Sequence, residues 1–292
     1  MALPNLPNLS NVVDVERSTV AAFRRDGHVV VRGLAQAEEI ESFRPAVLAV
    51  GEKGRVDHRP LEERETYGKA FIQMFNLWRH DPVVRALVFA RRFAKVAADL
   101  MGVDAVRLYH DQALFKEPGG GFTPWHQDQF YWPLETRHTI TLWLPLVDVR
   151  PEMGPMTFAS GSHLLGSLGD FPIGDDSQRE FDRLIHDRRL PCRSDGALAV
   201  GDASFHAGWT LHCAPLNATE TMREVMTVIY FADGTRVAPL DHPNRKFDRD
   251  TWLPGCAPGT FAATPLNPLL WGGDGGLSRG CVFLWGVRWP RW

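Results

Sequence analysis

A histidine and an aspartate two positions apart are the first residues whose types and spacing could do chemistry. His126 and Asp128 stand in the segment WHQDQFYW, and no other of the eleven histidines belongs to a His-x-Asp triplet. Side chains at positions i and i+2 of a strand share one face, so both residues could bind one metal ion. With a second histidine they would form the set that non-haem Fe(II) oxygenases use, which leaves three coordination positions open. The alternative is a strand-end histidine beside a solvated aspartate.

Candidates for the missing ligand and for an anion-binding residue stand in a second segment, FHAGWTLHCAPLNATETMREVMTVIYF. We expect a strand that ends at His212, a turn through Asn217 and a strand that begins at Arg223, so that a hairpin would return Arg223 to His212. A guanidinium can hold a carboxylate through two parallel hydrogen bonds. His206 would face the same side of a regular strand and is the competing ligand. The alternative role for Arg223 is a surface salt bridge.

The composition of this 292-residue chain argues against several other classes of protein. Hydrophobic residues at 44% and charged residues at 23% exclude a disordered, collagen-like or coiled-coil chain. The 32 Lys and Arg against 35 Asp and Glu provide no broad positive field, so we expect no nucleic-acid partner. Apolar runs are only strand-length, so we expect no membrane partner. The four scattered cysteines form no CxxC pair and predict a reducing, cytoplasmic location.

The elements that must position these residues change in character near residue 105. Before it the pattern is mainly helical, with helices expected at 15–26, at 38–50 and from Asp81-Pro82 to Gly102, and a short strand at 28–31. After it, runs rich in Val, Ile, Thr and aromatic residues predict strands at 105–116, 139–149, 156–159, 197–200, 203–211 and 223–232. Many short strands in succession favour a sandwich or jelly-roll barrel over a parallel α/β sheet.

We expect one domain with three parts: a helical N-terminal part (1–104), a barrel core (105–233) and a C-terminal segment (234–292) that wraps over the barrel. The core is interrupted by a long, mostly charged stretch, 161–196, with one short helix expected near 177–189. Because an insertion of this kind in a compact β domain is often a lid or binding loop, we expect it to border the substrate entrance and to be more mobile than the barrel. The alternative is a solvated excursion without a catalytic part.

Several motifs in a fixed order resemble the phytanoyl-CoA dioxygenase family of Fe(II)- and 2-oxoglutarate-dependent oxygenases. The matching stretches span about residues 105–232 and are Lys116 with Pro118, WHQDQFYW, TLWLPLVDV, MGPMTFASGSH, GDASFHAGWTLH and the eleven-residue interval from His212 to Arg223. The resemblance implies a mainly β fold with flanking helices, built on a double-stranded β-helix, a jelly-roll or cupin-like barrel. This fold agrees with the strand pattern after residue 105.

The resemblance also assigns roles to single residues. It makes His126, Asp128 and His212 the iron ligands, Arg223 the clamp for the distal carboxylate of 2-oxoglutarate, and Gln112 and Trp143 residues that line the cosubstrate pocket. Gln112 could instead bond a neighbouring strand, and Trp143 could be core. Members of the family often carry a small hydroxyl residue two positions after the distal histidine, where this chain has Ala214. One hydrogen bond to the cosubstrate is therefore missing or supplied from elsewhere.

The implied function is the oxidation, most simply the hydroxylation, of an unactivated C–H bond in a small organic molecule. Fe(II) is the cofactor, 2-oxoglutarate and O₂ are cosubstrates, and succinate and CO₂ are released. Desaturation, cyclisation and epimerisation stay open on the same site. Halogenation is disfavoured because Asp128 occupies the position where chloride would bind, and a cupin-like barrel that only binds metal or ligand would not need Arg223. The sequence leaves the substrate and the oligomeric state open.

Overall fold

The computed structural model describes residues 6–55 and 57–272, and two antiparallel sheets form its centre. The helices are α1 (Arg17–Asp26), α2 (Ala37–Gly54), α3 (Thr66–Ala70), α4 (Pro82–Val88), α5 (Arg91–Met101), α6 (Asp175–Arg188) and α7 (Pro243–Trp252). The strands are β1 (His28–Val31), β2 (Ile72–Phe75), β3 (Val106–Lys116), β4 (Thr123–His126), β5 (Thr139–Pro145), β6 (Thr157–Ala159), β7 (Cys192–Ser194), β8 (Ala203–Ala207), β9 (His212–Ala214), β10 (Arg223–Ala232) and β11 (Leu269–Trp271).

The larger sheet has the strand order β1-β8-β5-β10-β3-β11, and β2 pairs with the other part of β3. The smaller sheet has the order β4-β9-β6-β7. Every pair of neighbouring strands is antiparallel. The mainly β fold with flanking helices that the sequence predicted is confirmed.

The two faces of the larger sheet pack against different elements, as strand β5 shows. Ile140 and Leu142 belong to the main core together with Phe93 and Val96 of α5. Trp143, between Leu142 and the end of the strand, belongs to a second cluster that includes residues of the smaller sheet. Because side chains alternate along a strand, one face of the sheet packs on helices and the other faces the smaller sheet. The candidate site lies on this inner face.

The predicted helix from Asp81 to Gly102 is in fact two helices. The Asp81 side chain accepts hydrogen bonds from the backbone N–H groups of Val83 and Val84 and begins α4, as the sequence predicted. The helix then stops at Phe89, and Ala90 adopts an extended conformation before α5 begins. The break lets α4 pack against α2 while α5 packs against the larger sheet, which a single straight helix could not do.

Other element predictions are confirmed in part. Helix α1 ends at Gly27, whose φ of 83° suits glycine, and β1 has the predicted bounds. The predicted strand at 197–200 forms only isolated bridges, such as the one between Val149 and Leu198. Strands β2, β7 and β11, of three or four residues each, were not predicted. The C-terminal segment contains α7 and β11, and its part from 273 to 292 lies outside the described residues.

Membrane-spanning helices are absent from the described part of the chain. None of the helices within residues 6–55 and 57–272 is both long enough and apolar enough to cross a bilayer.

Candidate functional site

Two imidazoles and one carboxylate meet where the smaller sheet faces the larger one. His126 ends β4 and lies opposite His212 at the start of β9, with 4.0 Å between the ring centroids. Asp128 Oδ1 lies 3.6 Å from His126 Nε2 and 3.7 Å from His212 Nε2. One ligand atom from each residue lies within 4.8 Å of the other two. We call these three residues the triad.

The backbone orients both histidines of the triad. Nδ1 of His126 lies 2.8 Å from the carbonyl oxygen of Pro124, and Nδ1 of His212 lies 2.9 Å from that of Thr210. A carbonyl can only accept, so each Nδ1 carries the proton and each Nε2 keeps its lone pair. Burial lowers the pKa of both imidazoles, which are therefore neutral at pH 7. Two neutral nitrogen donors thus point at the same place.

The carboxylate of Asp128 has a different partner on each oxygen. Oδ1 faces the two triad histidines, whereas Oδ2 accepts hydrogen bonds from the Thr141 hydroxyl at 3.1 Å and from His206 Nε2 at 3.2 Å. Burial would raise the pKa of Asp128, but His212, His206 and His126 hold it well below its usual range. The carboxylate is therefore ionised, with one oxygen held and one directed at the triad's centre.

His206, the competing ligand, lies beside the triad. Its ring centroid is 4.4 Å from that of His212, and its Nε2 contacts the outer oxygen of Asp128 rather than Oδ1. Thr141 and His206 pair directly across β5 and β8, which fixes both donors against the same oxygen. The role of Thr141 could not be predicted from the sequence, because its hydrogen bond to Asp128 depends on the packing of the two sheets.

The strand geometry expected for the His-x-Asp triplet is wrong in one respect. β4 ends at His126, and Asp128 begins a 3₁₀ turn, Asp128–Phe130. Gln127 between them turns away, and its side-chain amide donates to the carbonyls of Gly166 and Trp209. The two triad residues therefore come together because the chain turns after the strand, not because both lie on one strand face.

The expected hairpin between His212 and Arg223 is also wrong. His212 begins β9 of the smaller sheet, whereas Arg223 begins β10 of the larger one, so the intervening chain crosses between sheets. Asn217 holds this crossing: its side-chain amide donates to the backbone carbonyls of Lys116, Glu117 and Thr221. Arg223 nevertheless lines the same cavity as the triad.

Arg223 is a buried cation without a carboxylate partner among the described residues. It is 1% exposed, its guanidinium carbon lies 5.3 Å from the centre of the Trp143 ring, and one terminal nitrogen donates to the Gly154 carbonyl. Its Nε has no hydrogen-bond partner in the described structure. Burial lowers the pKa of Arg223 to about 9. An unbalanced buried charge costs free energy, so this arrangement favours an anionic ligand.

Gln112 and Trp143 lie in one row across the larger sheet, on either side of Thr227. All three residues line the cavity. Gln112 Oε1 accepts a 2.6 Å hydrogen bond from Gln73, so it also links two strands, and Trp143 also packs in the inner cluster. The indole Nε1 of Trp143 is buried without a partner among the described residues.

The cavity is large, about 1910 Å³, and extends beyond these residues. Its outer wall includes Phe75 of β2, His110 of β3 and one side of α7. The α7 residues on that wall are Asn244, Phe247, Asp248, Thr251 and Trp252. Their helical spacing, after Pro243 at the first helical position, was the signal that could have revealed this wall in the sequence.

Comparison with known proteins decides the family. The family described as Phytanoyl-CoA dioxygenase (PhyH) matches residues 23–225. The chain belongs to the phytanoyl-CoA dioxygenase family. The resemblance predicted from the sequence motifs is thus confirmed.

Similar proteins act on different compounds. An ectoine dioxygenase of Stutzerimonas stutzeri (strain A1501) is 24% identical over 243 residues, which cover 74% of this chain and 78% of that protein. The carbocyclase SnoK from nogalamycin biosynthesis has a TM-score of 0.71 at 25% identity, and the match covers 91% of this chain and 99% of the SnoK chain. The epimerase SnoN, solved with Fe³⁺, alpha ketoglutarate and nogalamycin RO, has a TM-score of 0.71 at 27% identity. This match covers 87% of this chain and 97% of the SnoN chain.

Proposed function

We propose that the protein is an Fe(II)- and 2-oxoglutarate-dependent dioxygenase that oxidises, most simply hydroxylates, an unactivated C–H bond of a small organic molecule. His126, Asp128 and His212 would bind the iron, and Arg223 would bind the distal carboxylate of 2-oxoglutarate. Iron bound in this way supplies the activation of O₂ that couples oxidation of the substrate to release of succinate and CO₂.

The observation that carries this proposal is the triad and an unbalanced Arg223 in one cavity. The donor set of two neutral imidazoles and one carboxylate fits Fe(II), and its ligand atoms lie within 4.8 Å of one another. Arg223 supplies the fixed positive charge that a dicarboxylate needs at its far end. A barrel that only binds metal would leave this charge without a use, which disfavours a non-catalytic protein.

The remaining residues position the reactants. Trp143 stands against the Arg223 guanidinium and limits its movement, so the carboxylate would meet a fixed cation. Thr141 and His206 hold the outer oxygen of Asp128 and leave the inner one for the metal. Trp143 and Met156, both nearly fully buried, give the inner end of the cavity apolar surface beside its polar groups, which would limit the access of water.

Desaturation, cyclisation and epimerisation are the alternative outcomes on the same site. The related carbocyclase and epimerase share this chain's fold over most of their length, so one scaffold serves more than one outcome. We further propose that the whole chain is one domain and that it acts in the cytoplasm, where its free thiols Cys192, Cys213 and Cys256 would stay reduced.

Succinate release under O₂ tests this function. Protein loaded with Fe(II) and 2-oxoglutarate is incubated with a pool of metabolites, and mass spectrometry detects substrate-dependent gains of one oxygen together with succinate. The His212→Ala variant should give neither product. His138→Ala is the matched control, because His138 is exposed just before β5 and does not line the cavity, and it should retain both. Equal succinate from both variants would contradict the proposal.

A further inference from the structure

We propose that the outer half of the cavity binds a planar, multi-ring aromatic substrate that carries a hydrogen-bond donor. This inference rests on the proposed function and names the class of substrate. Its basis is a cluster of three rings at the cavity wall, Phe75, His110 and Trp252, beside the carboxyl group of Asp248. We call these four residues the ring site.

The three rings contact one another in pairs. The Phe75 and Trp252 centroids are 5.3 Å apart, those of Phe75 and His110 are 5.6 Å apart, and those of His110 and Trp252 are 4.8 Å apart. Their interplanar angles of 35°, 74° and 39° show that no two of the rings are stacked face to face, and all three rings belong to the cavity wall. Such a wall favours a flat aromatic ligand, which can pack against both faces and edges.

Two large apolar side chains of this wall remain accessible within the described part of the structure. Phe75 is 40% exposed and Phe247, on the same wall, is 66% exposed. Large apolar side chains that remain accessible inside a concave surface mark ligand-binding sites more often than stable solvent-facing structure. The cavity volume of about 1910 Å³ also exceeds the roughly 300–1,000 Å³ of common small-molecule sites, so a compact solute would leave much of it unfilled.

Asp248 supplies the polar contact. It lies one helical turn before Trp252 on α7, is 8% exposed, and accepts a 2.9 Å hydrogen bond from the Tyr109 hydroxyl. The Tyr109 and Trp252 side chains both donate to this carboxyl group, whose two oxygens can accept a further hydrogen bond from a ligand. A phenolic hydroxyl or an amine on the substrate would make this bond while its rings contact Trp252 and Phe75.

The register of the larger sheet places His110 of the ring site level with the triad and away from Arg223. Arg223 opposes Lys116 at one end of β3, whereas His110 stands six residues back along that strand. Thr141, the partner of Asp128, opposes Ile229, also six residues from Arg223. A substrate on the ring site would thus lie beside the triad at a distance from the anion clamp, which leaves space for 2-oxoglutarate.

Binding of quinizarin, a planar dihydroxyanthraquinone, tests the ring site without turnover. The full chain is treated with EDTA, so that the probe cannot chelate a bound metal, and tryptophan fluorescence quenching gives Kd. We expect at least tenfold weaker binding to Phe75→Ala and Trp252→Ala and a severalfold loss in Asp248→Asn. Phe261→Ala is the matched control, because Phe261 is 58% exposed but does not line the cavity, and it should bind as the wild type does.

The outcomes separate the two proposals. Equal binding by all variants, absence of binding, or tighter binding of ectoine than of quinizarin would overturn the ring site. Titration of the same protein with Fe(II) and 2-oxoglutarate under anaerobic conditions tests the proposed function independently. If the wild-type protein binds iron and 2-oxoglutarate but not quinizarin, only the substrate class is refuted. If it binds quinizarin but not iron and 2-oxoglutarate, only the proposed function is refuted.

A different observation carries a second inference: we propose that Thr123 donates a hydrogen bond to 2-oxoglutarate. Its hydroxyl is buried without a partner among the described residues, and the residue is 5% exposed and lines the cavity. Thr123 lies directly opposite Ala214 in the pairing of β4 and β9. The hydroxyl that position 214 lacks is therefore present across the strand pair.

The surroundings of Thr123 match an anion site. Arg223 and Trp143, which line the same cavity, also keep buried N–H groups without partners in the described structure. Three unsatisfied donors in one pocket cost free energy that an acceptor-rich ligand would offset, and a carboxylate accepts several hydrogen bonds at once. 2-Oxoglutarate provides two carboxylates.

A binding comparison tests Thr123. Anaerobic calorimetric titration of the Fe(II) protein with 2-oxoglutarate should show about five- to tenfold weaker binding for Thr123→Val, which keeps the shape but removes the donor, consistent with one lost hydrogen bond of about 1–1.5 kcal/mol. Thr123→Ser should bind as the wild type does. The double variant Thr123→Val with Ala214→Ser should recover the affinity. Unchanged binding in Thr123→Val would overturn the inference.

Discussion

The inner and outer halves of the cavity are built from different kinds of element. In the inner half, the triad and Arg223 lie at or beside ends of strands whose backbone ladders fix their register. In the outer half, Asp248 and Trp252 lie on a helix outside both sheets, whereas Phe75 and His110 lie on the paired strands β2 and β3. The difference teaches that the sheets fix the proposed reaction geometry, while α7 supplies the part of the proposed substrate wall that can vary without disturbing it.

Removal of a metal ligand should have the largest effect and should stay confined to the inner half. His126→Ala deletes one of three protein donors, so we expect Fe(II) affinity to fall by more than about a hundredfold, beyond the roughly 10–100-fold cost of losing an outer partner of a ligand. Equilibrium dialysis under anaerobic conditions measures it. Phe75→Ala, in the outer half, should bind iron normally, and a comparable loss there would break the distinction between the halves.

Arg223→Met should weaken 2-oxoglutarate far more than iron. A buried charge-assisted pair with a carboxylate is worth about 1.5–3 kcal/mol, or about ten- to more than a hundredfold in binding. The apparent Kd of the cosubstrate, measured with saturating Fe(II), gives the result. Unchanged affinity would show that the carboxylate binds elsewhere, and Lys116, whose amine is buried, would be the next residue to replace.

His206→Ala should lower iron affinity about 10–100-fold without abolishing binding, because it removes a hydrogen bond to a ligand and not the ligand. The stoichiometry should remain one iron per chain. Metal content after dialysis at two iron concentrations distinguishes weakened from lost binding. A complete loss equal to that of His126→Ala would show that His206 is itself a ligand.

The pH dependence of the free energy of unfolding tests one residue of the outer half, Asp248. Burial raises the pKa of Asp248 to about 7, so the folded protein holds a proton that the unfolded chain has already released at pH 6. Stability therefore falls as pH rises through 7. For Asp248→Asn the fall between pH 6 and pH 8 should be smaller by about 1.4 kcal/mol. Urea unfolding at the two pH values measures it, and equal falls would show that Asp248 is not protonated in the folded state.

The smallest expected effect concerns the insertion 161–196. We expect its amides to gain hydrogen-exchange protection when a true substrate binds, because the segment lies next to the metal strand: Gln178 accepts from the backbone N–H of Trp125, and Phe181 is buried. Protection of α5, none of whose residues lines the cavity, should not change. If substrate left the exchange of 161–196 unaltered, the segment would be a structural support rather than a lid.

Much of the inner half could be predicted from the sequence because its signals are local. The triplet of His126 and Asp128 and the fixed interval from His212 to Arg223 are visible as letters, and the β3 and β10 segments show strand-like composition. The path between His212 and Arg223 could not be predicted. Both a hairpin and a crossing between sheets fit the same spacing, and only the packing of Asn217 against the β3 end decides between them.

The outer half was hidden for a physical reason. Contacts such as those of Phe75 with Trp252 join residues far apart in the chain, and neither residue stands in a recognisable motif. Helix α7 is rich in charged residues and buries little, so the only signals were Pro243 and the helical spacing of its cavity-lining residues, without the strong apolar periodicity of helices packed in a core. Thr141 and His206 were obscured in the same way, since their role depends on how the two sheets face each other.

The central claim is that the triad holds iron with 2-oxoglutarate bound beside it, and one anaerobic measurement tests it most directly. Titration of the protein with Fe(II) and 2-oxoglutarate should produce a weak visible charge-transfer band, because the keto acid would bind directly to iron held by the triad. The band should be absent in His212→Ala and present in His206→Ala. Loss of the band in His206→Ala with the fold intact, and its retention in His212→Ala, would contradict the account.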